Sequence, residues 1–431
     1  MKFIWNVEKE KYEKFVKKHK KSHFLQSYAW GEFSLAIKRY VPHYVGLEDK
    51  NGKLVAVSLL LEKRLPLGYS YLYASRGFVI DFDDDELISE FVKYIKVFAK
   101  KRKAIFVKID PDIIINKMDY ENKPVELTYD YNKYLDTFKK LGFKHLGFTK
   151  NFETIQPRYS FRVDMNQDFN VIEEKISKTT KQRINKAKAL NTKISIGNYD
   201  DLPIFYSLME ITENKKDFVS HDLEYYRKLF EIYNKDNNIN LFLGSINIKE
   251  IKETIEKELI IINEEFNELE NRESKSKSVN SKINDLIKRK EKLENELIEY
   301  TLCQKDYGDE VTLNGHVIIE YADKAWVVYA GNHTILTNTY SNYNVYFEHL
   351  KHCYNNGIKM YDQFGTIGDL SKDNPRLGLH EFKKKFGGDY VEFIGEFDLV
   401  TNKFMYFIFT KLIPLYRNSV RKISKKQKKS N

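Results

Sequence analysis

No apolar run in this 431-residue chain approaches the roughly 18 to 20 residues that a membrane-crossing helix needs. The first ten residues, Met1 to Glu10, alternate apolar with charged side chains, where a secretory signal would carry an unbroken apolar core. A cytoplasmic protein is the expectation. Cysteine is nearly absent: Cys303 and Cys353 are far apart, and neither has His or Cys partners at metal-ligand spacing. That argues against a disulfide framework and against a zinc site, so both thiols are read as ordinary packed side chains. Also missing from both halves is an Arg/Gln-x-x-Gly-x-Gly/Ala string, the loop whose backbone amides would cradle the pyrophosphate of coenzyme A before a helix. No metal and no cofactor are expected.

What the chain does have is 42% hydrophobic residues, enough to build a core for each of two domains. Its formal net charge is +10, with an isoelectric point near 9.0. That balance favours polyanionic partners: nucleic acid, an anionic membrane face or a phosphorylated substrate. A lysine-rich proteome gives the same balance.

The clearest landmark is Ile248 to Cys303, charged and punctuated by Leu and Ile, with one polar break from Ser274 to Ser281. Ile251, Ile255, Leu259, Ile262, Phe266 and Leu269 recur at spacings of three and four, and Ile283, Leu286, Leu293, Leu297 and Leu302 answer them on the return. Two helices zipped antiparallel as a coiled-coil arm are predicted, projecting on the order of 35 Å at about 1.5 Å per residue. A spacer or a dimer contact fits the pattern as well as a binding arm does.

Outside the arm one element order is used twice. In the first half, strands at His43 to Leu47 and Lys53 to Glu62 flank the turn Asp49-Lys50-Asn51-Gly52. An extended Tyr69 to Phe82, a helix Glu86 to Lys103, a strand Ala104 to Ile109 and a helix Tyr131 to Leu141 follow. In the second half, Asn240 to Ser245 and His316 to Ala330 are extended, Tyr340 to Asn355 is helical, Lys359 to Phe364 is a strand and Leu379 to Phe386 a helix. The predicted fold is therefore α/β, with two tandem N-acetyltransferase-like domains and the arm inserted in the second. Residues 1–153 form the first domain, and 154–247 with 304–394 form the second around the arm at 248–303. Residues 395–412 pack back on the body as a strand region, and 413–431 form a basic tail, mobile and able to touch lipid head groups or tRNA.

An acyl-transfer fold without a thioester loop points to another activated ester, and the 3′ ester of aminoacyl-tRNA suits a basic surface. Several strings carry the argument further: Phe24-Leu25-Gln26-Ser27, Tyr73-Ala74-Ser75-Arg76-Gly77, Ile109-Asp110-Pro111 and Ile155-Gln156-Pro157-Arg158, then Tyr329-Ala330-Gly331, Phe382-Lys383 before Phe386-Gly387, and Phe393-Ile394-Gly395-Glu396. In order and spacing they resemble the FemABX family of aminoacyltransferases, which move an amino acid from aminoacyl-tRNA onto a peptidoglycan precursor. The similarity spans nearly the whole chain, and the arm resembles the insertion of the FemA and FemB members.

The resemblance implies a transferase that builds the interpeptide bridge of the cell wall, moving Gly, Ser or Ala to the side-chain amine of a lipid-linked or nucleotide-linked precursor. It implies substrate-binding roles for Tyr225 and Tyr329, whose phenols suit phosphate oxygens. Lys383 falls beside the reacting ester, where a fixed cation stabilises the developing oxyanion. Phe382 would stack on the terminal adenosine of tRNA, Asp110 would orient the attacking amine or its proton, and Glu396 is a carboxylate of the same cleft. Two positions depart from the family pattern. His221 stands near a phosphate-gripping arginine, and Ser34 near a phosphate-binding lysine, with Lys38 the closest replacement. A neutral His lacks the permanent bidentate fork of Arg, so another base must substitute or the precursor is presented differently. Besides the tRNA donor and the precursor, expected partners include the cytoplasmic face of the membrane and related transferases. The competing readings are a non-catalytic tRNA- or envelope-binding protein and a transferase directed at protein N-termini.

Overall fold

The computed structural model describes residues 1–216, 220–272 and 276–413. The predicted tail therefore lies outside the described residues, Ile413 excepted. Two mixed sheets hold the chain. The first orders β1 (Lys2–Ile4), β2 (Val41–Glu48), β3 (Leu54–Arg64), β4 (Ser70–Ala74), β5 (Ala104–Ile109), β15 (Phe397–Val400) and β7 (Phe143–His145). The second orders β6 (Ile114–Met118), β14 (Asp389–Phe393), β8 (Tyr159–Asp164), β13 (Met360–Asp362), β12 (Lys324–Asn332), β11 (Glu310–Tyr321), β10 (Ile239–Asn247) and β9 (Lys193–Gly197).

The repeated element order is present as topology. β2, β3 and β4 are successive antiparallel neighbours, and helix Asp85–Lys101 then crosses over to bring β5 in parallel to β4. β10, β11 and β12 repeat the pattern, with helix Ser341–Asn355 bringing β13 in parallel to β12. The crossover helix Asp85–Lys101 forms because Asp84 caps it, accepting from the Leu87 amide at 2.9 Å, and because Leu87, Phe91, Ile95 and Phe98 fall on one buried face. That face packs on Val45, Leu60 and Val107 of the first sheet.

Each half also holds a strand of the other. β6 falls within the predicted first domain yet is hydrogen-bonded to β14 in the second sheet, and β15 returns from near the C-terminus to sit between β5 and β7. A five-residue strand carries no local mark of which sheet edge it will join. Three shorter expectations also change. The extended stretch His316 to Ala330 is two strands of a hairpin, turned at Ala322 with φ of +56°. The strand predicted to Phe82 ends at Ala74, where the Gly77 amide turns back to the Ala74 carbonyl at 3.2 Å. The arm's polar break is shorter than Ser274 to Ser281, because Ser276 caps a new helix by accepting from the Val279 amide.

The arm consists of helices Ile248–Glu270 and Lys277–Tyr307, joined between the neighbouring strands β10 and β11. Ile251, Ile255, Ile262 and Leu269 meet Ile283, Leu286, Leu293 and Tyr300 along one seam. Ion pairs Glu258–Arg289 and Glu265–Lys282, both at 2.5 Å, fix the antiparallel register. The arm is net acidic, with 12 Lys and Arg against 15 Asp and Glu from Ile248 to Tyr307.

Candidate substrate cleft

An aromatic and aliphatic layer joins the two sheets, with Phe24, Phe33, Leu59 and Leu61 from the first half and Tyr225, Leu229, Ile319 and Trp326 from the second. Where the layer opens, a cavity of about 170 Å³ remains. Trp30, Ser34, Arg39, Tyr40, Tyr73 and Ser75 form one wall, and His221, Tyr225, Val328, Tyr329 and Phe364 the other. Ile155 and Gln156, on the chain between the halves, close one side.

Local structure explains who faces the cavity. Helix Tyr28–Ala36 is capped by Ser27, which accepts from the Trp30 amide at 3.0 Å. At its far end Lys38 takes a left-handed conformation, φ +53°, and the Arg39 and Tyr40 amides both return to the Ser34 carbonyl. This tight turn brings Arg39 and Tyr40 to the rim and leaves Lys38 exposed, outside the lining. Helix Leu223–Tyr233 is capped by Asp222, which accepts from the Tyr225 amide at 2.8 Å. On β12 a bulge does the work: Tyr329 lies opposite Val317 and Val327 opposite Ile318, so Val328 is an extra residue. Strict alternation would turn one of two successive residues away, but Val328 and Tyr329 both reach the cleft.

The Tyr225 and Tyr329 hydroxyls share a hydrogen bond of 2.7 Å. Burial pushes both phenols above their ordinary range, so both keep their protons. The His221 ring stacks on Tyr225 with centroids 3.6 Å apart and planes within 10°. Burial, then the nearby charge of Arg39, lowers the His221 pKa and favours the neutral ring. Arg39 is thus the permanent cation of this wall. It stands one residue beyond Lys38 and lines the same cavity as His221 and Ser34.

Asp110, Glu396 and Lys383 all lie one layer behind the wall. The Asp110 carboxylate accepts from the Tyr73 hydroxyl at 2.7 Å and from the Arg76 amide at 2.6 Å. Its burial pushes the pKa up to about 6, against the opposing influence of Arg76 and Tyr73. Glu396 accepts from the Ile155 amide at 2.7 Å and from the Lys108 ammonium at 2.9 Å. The Lys383 ammonium donates to the carbonyls of Gln363 at 2.7 Å, Phe364, and Gly365 at 2.8 Å. Each of the three therefore holds a residue that itself lines the cleft: Tyr73, Ile155 or Phe364. Phe382 is elsewhere, edge-on to Tyr343 and Tyr346 and tilted against Phe386 at the core of the second half.

Charged pairs lock the halves beneath the cleft. Arg162 on β8 grips Asp112 with two bonds of 3.0 and 2.7 Å and reaches Asp362 at 2.8 Å. Arg76 donates to the Pro157 carbonyl at 2.6 Å. Arg39, Tyr40, Tyr73 and Gln156 were absent from the sequence-based site. Tyr73 and Gln156 stand inside two of the strings quoted for the resemblance, which was the available signal; Arg39 had none.

The sequence model of the FemAB family matches residues 7–412. A lipid II:glycine glycyltransferase of Staphylococcus epidermidis is 28% identical over 429 residues, covering 98% of this chain and 99% of the relative. One from Staphylococcus aureus is 27% identical over 431 residues, with the same coverage. A crystal structure of FemX superposes with a TM-score of 0.74 at 25% identity, over 94% of this chain and 99% of that one.

Proposed function

The chain belongs to the FemAB family, and from that premise we propose that it is an aminoacyltransferase extending the interpeptide bridge of a lipid-linked peptidoglycan precursor. The observation that carries the acceptor side is the cleft wall itself: Arg39 beside the Tyr225–Tyr329 pair, between the two halves. Two phenolic protons serve one shared bond, so the second remains to donate to a phosphate or amide oxygen. Arg39 supplies the charge that a pyrophosphate needs. The relatives' names specify glycine and lipid II, and glycine on a lipid-linked acceptor is the first combination to test.

The donor we propose is aminoacyl-tRNA. The acceptor's free amine attacks the ester carbonyl, a C–N bond forms, and the C–O bond to the tRNA 3′ oxygen breaks. The proton lost by the amine is balanced by the one the 3′ hydroxyl gains. In this reading Asp110, Glu396 and Lys383 are positioning residues, acting through Tyr73, Ile155 and Phe364, and catalysis rests on holding the two substrates together.

Purified protein supplied with radiolabelled Gly-, Ser- and Ala-tRNA and lipid-linked precursor should transfer glycine to the precursor. No transfer from any of the three, or transfer only to a protein N-terminus, would sink the proposal. Arg39→Ala should weaken acceptor binding about 10- to 100-fold, the worth of a hydrogen bond to a charged group, with turnover preserved at saturation.

A further inference from the structure

We infer that one end of the first sheet is a docking face for an anionic lipid bilayer, and that it delivers the cleft mouth to a membrane-held substrate. Three segments meet there. The hairpin tip between β3 and β4 is Pro66-Leu67-Gly68, and Leu67 is 88% exposed. The Arg102–Lys103 turn lies beside it, receiving the Ser70 hydroxyl and amide on its carbonyls at 3.1 and 3.2 Å. The helix Lys403–Phe407, continued by π-helix Ile408–Leu412, is anchored where the Thr401 and Asn402 amides reach the Ile105 carbonyl.

The inner face of this helix is accounted for: Tyr406 and Phe409 pack on Phe106, and Phe409 on Tyr71. Its outer face is not. Phe404 is 72% exposed and Phe407 54%, with Leu412, Lys403 and Lys411 beside them. Leu67 stands in the left-handed region, φ +61°, where a branched apolar residue is unfavoured and no packing compensates. Exposed large apolar side chains ringed by Lys and Arg are the composition of an interfacial membrane anchor.

Charge makes the occupant specific. From Leu399 to Asn431 the chain carries nine Lys and Arg and no Asp or Glu, which leaves the preceding residues within one charge of neutral. Nearly the whole excess of the protein thus follows Asp398 in sequence, and its first two members, Lys403 and Lys411, stand on this face, where they suit an anionic leaflet. Leu67 and Leu412 offer a base no stacking ring and a phosphate no donor, and such aliphatic side chains suit the acyl boundary of a bilayer. The face also adjoins the cleft, because Tyr71 leads from Phe409 to Tyr40, with ring centroids 6.5 Å apart, and Tyr40 and Arg39 form the cleft rim. A lipid-linked acceptor would meet Arg39 without leaving its leaflet, and that purpose rests on the function proposed above.

The test is co-sedimentation of the full chain with vesicles of phosphatidylglycerol and phosphatidylcholine, free of any precursor. Salt-sensitive binding is expected, absent on pure phosphatidylcholine. Leu67→Ser/Phe404→Ser/Phe407→Ser should bind about tenfold more weakly with an unchanged Tm, since all three are exposed. Wild-type protein that stays in the supernatant overturns the inference. So does a triple variant that binds as well as wild type, one whose sedimentation reveals a lost dimer, or one that loses tRNA binding alone. Because the vesicles carry no substrate, failure here leaves the transferase reading standing, and a failed transfer assay leaves vesicle binding standing.

Discussion

The cleft wall and the layer behind it hold their polar groups by opposite means. On the wall, Arg39 is exposed, and Tyr225 and Tyr329 bond to each other across the cavity edge. Behind it, Asp110, Glu396, Lys383 and Arg162 are engaged on two or three sides by named carbonyls, amides and counter-ions. Groups so fully committed set positions, whereas groups with a side left over can meet a ligand. Substitutions behind the wall should therefore act through stability and geometry, and those on the wall through binding.

The largest effect is expected at Arg162. Arg162→Met leaves Asp112 without its bidentate partner and strips one from Asp362, so unfolding free energy in denaturant should fall by about 3 to 5 kcal/mol. A loss under about 1 kcal/mol would mean the halves do not depend on this lock. Next is Lys383→Met, which strands three carbonyls around Phe364 and should cost about 1 to 3 kcal/mol together with turnover. A catalytic cation facing the reacting ester would instead lose turnover at constant Tm, and that result would move Lys383 into the front row.

Tyr329→Phe removes a hydroxyl from the wall. Acceptor binding measured by calorimetry should weaken about fivefold, about 1 kcal/mol, with stability nearly unchanged. The remaining effect is one of pH. Asp110 is pushed up to about 6 in the folded protein, against about 3.9 for an unfolded aspartate. The folded state thus binds the proton more tightly, so this group's contribution is full below about pH 4 and fades as pH rises through 6. Asp110→Asn should flatten that portion of the stability profile relative to wild type. Parallel profiles would show that the carboxyl titrates normally.

Element order was legible because it is written in local periodicity: the crossover helix shows Leu87, Phe91, Ile95 and Phe98 on one stripe, and the arm shows its seam at spacings of three and four. The cavity-facing tyrosines, Tyr225 and Tyr329, came from the resemblance, and the structure brings them together. Lys38 lies one position from the lining, since a single left-handed residue at a helix end decides whether 38 or 39 meets the rim. Net charge as a total carried no location: the arm is net acidic and the excess sits after Asp398.

By itself the sequence determined the two-fold α/β plan, the inserted helical hairpin and the family, because these rest on short-range pattern repeated over hundreds of residues. Only the tertiary structure decided that β6 and β15 change sheets, that a bulge turns both Val328 and Tyr329 to the cleft, and that Asp110, Glu396 and Lys383 stand behind the wall. The reason is physical: which edge a strand joins, and which row a side chain enters, depends on partners hundreds of residues away, such as Glu396 at Ile155 or Arg162 at Asp362, and no local window contains both members of such a pair.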